Sequence, residues 1–75
     1  MNFANEEQAR QTLEQWREHP LEAQLSKLSK AIEALELNLM YYEGKGSVKA
    51  AERVGRVLGI LAARQAALVA GGEGS

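Results

Sequence analysis

The sequence predicts an all-α protein: an antiparallel helical hairpin of two long helices, preceded by a short N-terminal helix. Dimerisation or a partner chain would complete it as a bundle. Three observations carry this. Of 75 residues, 48 are Ala, Leu, Glu, Gln, Lys, Arg or Met, all of which rank high on the helix scale. Val, Ile and Thr together number seven and the aromatics four, too few for a β-rich fold. A long central segment carries apolar residues in unbroken 3-4 spacing, the pattern of a coiled-coil seam.

The first helix is expected over residues 6–18. Asn5 suits the N-cap, with Gln8 three residues on to complete a capping box. Glu6 and Glu7 follow in the first turn, where the helix dipole favours negative charge. Its apolar residues are Ala9, Leu13 and Trp16, at i, i+4 and i+7. That is one narrow stripe on a helix too short to be stable alone, so it needs a surface to lie against, with Trp16 as anchor.

His19-Pro20 is the first boundary. Proline lacks the N–H and disfavours helical geometry at the residue before it, yet suits the start of a new helix. The second helix is expected over 20–42. Leu21, Leu25, Leu28, Ile32, Leu35, Leu39 and Tyr42 form its seam. Leu37, Met40 and Tyr41 add apolar surface outside that seam. Glu43-Gly44-Lys45-Gly46-Ser47 reads as the turn, with Gly44 as left-handed C-cap and Ser47 as the next N-cap.

The third helix is expected over 48–69, with Ala51, Val54, Leu58, Leu61, Gln65 and Leu68 as its seam. A second pattern overlies it. Ala51, Gly55, Gly59, Ala63 and Ala67 recur every four residues. A mid-helix glycine costs about 1 kcal/mol relative to alanine, so two of them point to close approach of another helix. That neighbour is either the chain's own second helix or another molecule. Residues 1–70 read as one domain, and 71–75 as a flexible Gly-rich tail.

Size and charge narrow the function. A core of this size rarely supplies more than about 3–5 kcal/mol net. Cysteine is absent, which excludes disulfides and thiolate chemistry. With one His and no Asp, neither a metal site nor a cofactor is expected, and oligomerisation or a partner protein remains. The formal charge of −1 argues against a general nucleic-acid or membrane-surface binder. The uncharged stretches of the third helix fall short of the roughly 20 residues of a membrane span. With no signal-peptide pattern at the N-terminus, the expected location is cytoplasmic. No motif for a nucleophile, a general base or a phosphate loop is present, so no enzymatic activity is expected.

Protein binding is therefore the expected function, as a small adaptor, co-chaperone or inhibitor. The candidate partner-binding residues are Trp16, Leu37, Met40, Tyr41, Val57 and Ile60, with Lys49, Arg53 and Arg56 as the polar rim. The apolar members lie outside the seams, exposed for a partner or partly covered by the first helix folding back. Residues 44–70 sum to +4, and Lys45, Lys49, Arg53 and Arg56 form an outward basic stripe at the start of the third helix. An alternative is therefore a nucleic-acid accessory protein using this stripe, and another is a structural oligomer. The outline over residues 21–69, with Glu43-Gly44-Lys45-Gly46 as the turn, resembles the small co-chaperones of bacterial type III secretion needle subunits. Many phage-encoded inhibitors share that outline. The resemblance implies a helical hairpin that binds another protein, and no residue role is carried over from it.

Overall fold

The computed structural model describes residues 5–71. Among these residues there are three helices and no strand: α1 (Glu6–Trp16), α2 (Leu21–Lys45) and α3 (Val48–Gly71). The expected all-α class and the three-helix order hold. The expected tail falls partly outside this range: Gly71 is still helical, and residues 72–75 lie beyond the described residues.

The Asn5 side chain caps α1 as expected, its Oδ1 accepting the Gln8 N–H at 2.8 Å. The helix stops two residues earlier than predicted. The Arg17 N–H donates to the Glu14 carbonyl and the His19 N–H to that of Trp16, which tightens the last turn before the proline. Pro20 is extended (φ −57°, ψ 156°) and stands at the N-cap of α2. Gln24 bolts this joint. Its Nε2 donates to the His19 carbonyl at 2.9 Å, and the side chain is buried.

The turn differs from the expectation. Gly44 is helical, and it is Gly46 that adopts the left-handed conformation (φ 79°). The Gly46 N–H donates to the Glu43 carbonyl, and the Ser47 N–H to that of Tyr42 at 2.9 Å. This pair of bonds is a Schellman motif. Either glycine could supply the left-handed residue, but closing at the second keeps two more residues in helical bonding. Only Gly46 and Ser47 then connect α2 to α3. The Ser47 carbonyl accepts the Ala51 N–H, the role of an N-cap.

α2 packs along α3, and α1 packs mainly on α3. Glu6 lies beside Arg56, while Arg10, Leu13 and Glu14 border one cleft with Ile60, Ala63, Arg64 and Ala67. α1 therefore runs alongside the second half of α3. The core consists of Ala9, Leu13 and Trp16 from α1, Leu28, Ala31 and Leu35 from α2, and Val57 and Leu61 from α3. Burial of a side chain such as Leu28 or Leu61 contributes about 1.5–3 kcal/mol. Every seam position of α2 and α3 is at least half-buried.

The glycine expectation needs correction. Gly55 and Gly59 are exposed, and a Cβ built on either meets nothing within 4 Å. The close neighbour is therefore not α2. Within the single chain these glycines only lower helix propensity. Gly55→Ala and Gly59→Ala should each raise stability by about 0.5–1 kcal/mol, whereas Leu61→Ala should lower it by about 2–5 kcal/mol. Urea melts followed by circular dichroism check both signs. A loss of stability on either glycine replacement would refute the open geometry.

Candidate protein-binding surface

Burial is unevenly distributed along the molecule. Among the described residues, the nine buried ones lie between positions 9 and 35 or at 57 and 61, and none of residues 36–56 is buried. The reason is the length of α1. Its 11 residues reach about 16 Å at 1.5 Å per residue, against about 37 Å for the 25 residues of α2. Where α1 lies there are three helices and a core. Beyond it the paired ends of α2 and α3 have only each other.

Four of the five large exposed apolar side chains among the described residues collect at that end, the fifth being Val69 near the C-terminus of α3. Leu37 is 67%, Met40 66%, Tyr41 58% and Val48 65% exposed. At about 100° per residue, Leu37, Met40 and Tyr41 form one outward patch on α2. Tyr41 meets Tyr42 edge-on at 5.4 Å between ring centroids. Lys45 Nζ lies 5.1 Å from the Tyr41 ring centroid and 3.2 Å from its hydroxyl, which steadies the ring while leaving its outer face bare. Around the turn, Tyr42, Val48 and Ala51 line a shallow cleft with Glu43 and Glu52.

Three of the candidate residues are placed elsewhere. Trp16 and Val57 are enclosed in the core, Val57 completely, and Ile60 is half-buried against it. α1 has folded back over this part of α3, and Trp16 anchors it, with Lys27 Nζ 5.7 Å from the indole centroid. Trp16 and Val57 are thereby enclosed within the single chain, while Ile60 still borders the cleft between α1 and α3. The spacing that set Val57 outside the seam assumed a two-helix seam, and a third helix widens the buried arc by one position.

The basic residues do face outward. Lys49, Arg53 and Arg56 are exposed. Arg56 Nε lies 4.0 Å from Glu6 Oε1, both side chains well exposed, a pair that contributes little to stability. Gln24 is the structural residue the sequence reading missed. A polar residue in the first turn after a proline carries no signal of burial. Among the described residues, no three His, Cys, Asp or Glu side chains gather where they could hold a metal ion.

α3 also bears on the membrane expectation. It is long and apolar enough to cross a membrane by length and composition, with a mean hydropathy of 1.3 over its most apolar window. Counting uncharged stretches missed this, because isolated arginines interrupt the run without lowering the mean enough. No family model, no curated protein and no solved structure matches this chain.

If Trp16 is the anchor of α1, Trp16→Ala should cost about 3–5 kcal/mol, comparable to the net stability of a chain this size. Hydrogen exchange should then show amides of α1 losing protection first. Unchanged protection in α1 would refute the anchoring role.

Proposed function

We propose that the chain is a non-enzymatic protein-interaction module that works through the apolar surface of its α2–α3 pair. In this reading α2 and α3 act as an antiparallel hairpin whose far end is the docking end. A second copy or a different protein completes the bundle there. The observation that carries it is the unburied stretch at residues 36–56, with Leu37, Met40 and Tyr41 more than half exposed. Contiguous exposed apolar surface marks interaction sites, and an adaptor, co-chaperone or inhibitor role uses such a surface. The α1 end holds the buried core, so the greater share of uncovered apolar surface lies at the far end.

The exposed cations Lys49, Arg53 and Arg56 support a second reading, a nucleic-acid accessory protein. It is weaker because no aromatic side chain is interleaved with them for base stacking. A cytoplasmic setting fits both readings, and the apolar α3 makes vesicle binding the control.

The doubly substituted Leu37→Glu/Met40→Glu chain should melt within about 0.5 kcal/mol of the parent, since both residues are exposed. It should lose self-association in sedimentation equilibrium, or lose any partner that the parent retains. Arg53→Glu/Arg56→Glu should leave that association intact. If the arginine reversal abolishes association and the apolar double substitution does not, the protein-binding reading fails. A steep salt dependence of oligonucleotide affinity would then support the nucleic-acid reading.

A further inference from the structure

The α2–α3 pair has two long flanks, and only one is covered. α1 marks the covered flank: Lys27 of α2 reaches Trp16, and Arg56 of α3 reaches Glu6. On the opposite flank Leu25, Ile32 and Leu39 of α2 and Val54 and Leu58 of α3 are all half-buried. Together they form an apolar strip along the pair, packed against the core on its inner side, and no third helix of the described residues lies over it.

The edges of this strip are chemically distinct. All four glutamates of α2, Glu22, Glu33, Glu36 and Glu43, are exposed and fall within about 80° of arc on the strip side. The three lysines of α2, Lys27, Lys30 and Lys45, lie on the other side of the helix. The α3 edge of the strip carries no charge: Gly55, Ala62 and Ala66 stand there, all exposed. The cations of α3 lie toward the α1 flank. The charges are therefore sorted by flank and not scattered, as solvated surface charges would be.

We propose that this strip receives an amphipathic helix from another protein, with basic residues along the edge that faces α2. The inference rests on the protein-binding reading and names the chemistry of the partner. The covered flank supplies the precedent. There a helix with an acidic first turn lies with Glu6 4.0 Å from Arg56, an exposed pair that sets orientation more than stability. The open flank has the inverse charge, so it selects the inverse helix. The uncharged α3 edge, where an added Cβ at Gly55 would meet nothing within 4 Å, gives a docking helix room to approach closely.

The other occupants fit less well. A second copy docked by the same flank has no cations there to set against Glu22, Glu33 and Glu36. A copy docked by its α1 flank would make a heterologous contact, which builds a ring or a filament and not a two-fold dimer. Phosphate-bearing surfaces, nucleic acid or anionic lipid, meet the four glutamates with repulsion.

Two synthetic amphipathic helices test this, each about 21 residues long to match the strip. They share a leucine stripe in 3-4 spacing and differ only in carrying lysine or glutamate beside it. Titrated into the full isotope-labelled chain, the lysine peptide should bind roughly tenfold or more tightly than the glutamate peptide, and the gap should narrow in high salt. Amide shifts should map to Ser29, Ile32, Glu36, Leu58 and Ala62. Glu33→Lys/Glu36→Lys, both at exposed sites, should fold normally and reverse the preference. Equal affinities, or shifts confined to Leu37, Tyr41 and Val48, would overturn docking on the strip while leaving the protein-binding reading in place. Concentration-dependent shifts at the strip residues without peptide would put a second copy there and overturn the choice of partner. Failure of both peptides, together with a chain that stays monomeric and binds anionic vesicles, would overturn the inference and the protein-binding reading together.

Discussion

α1 covers less than half the length of the two helices it joins, and the rest of the molecule follows from that mismatch. Three helices can enclose side chains on all sides, but two cannot. The buried set therefore ends at Leu35 on α2 and begins at Val57 on α3. Both limits fall where α1 begins, at the level of the Glu6–Arg56 contact. Beyond this point no seam residue is fully buried, whereas Leu28, Leu35 and Leu61 are buried where α1 lies. One molecule thus has an end that holds the buried core and an end where no side chain is fully enclosed.

The joints show how local chemistry sustains this arrangement. Pro20 redirects the chain after α1, and the Gln24 amide satisfies the carbonyl of His19 that the redirection would leave without a partner. A buried polar side chain with no partner costs about 1–3 kcal/mol, and here the burial and the partner come together. At the other end Gly46, in the left-handed conformation, ends α2 two residues before α3 begins, and the two helices pack on each other. A longer turn would have let the open end splay. The short one holds Tyr42 and Val48 close enough to share a cleft.

Much of this was legible in the sequence, and the misses share a cause. Asn5, the Ala9-Leu13-Trp16 stripe, the Pro20 boundary and the 3-4 seams are local signals, set by backbone hydrogen bonding and helical period. The structure bears them out within a few residues. Val57, Gln24 and the Gly55–Gly59 pair depend on which helix lies against which, and periodicity does not encode that. A seam marks the centre of a buried face but not its width. When α1 docks beside α2 on α3, the face broadens to take in Val57 and Ile60, while the glycines remain on the outside. Of the candidate surface, Leu37, Met40 and Tyr41 were legible as exposed because they lie opposite the seam.

The composition of α3 is the remaining physical puzzle, and the sorting of its charges resolves much of it. A solvent-facing helical surface normally carries charge, yet Gly55, Gly59, Ala62 and Ala66 leave this one small and neutral. Such surfaces are also found where helices meet inside membranes. Insertion of α3 would carry Arg56 and Arg64 with it, at about 2.5–3.5 kcal/mol each near the bilayer centre. It would also pull Val57 and Leu61 out of contact with Leu13 and Leu28, dismantling the core. A partner helix in water asks for neither loss. It would cover the small neutral edge, shield the half-buried leucines of α2 and neutralise the glutamates beside them. Each of those features is a cost in the lone chain, and all are relieved by the same docking event.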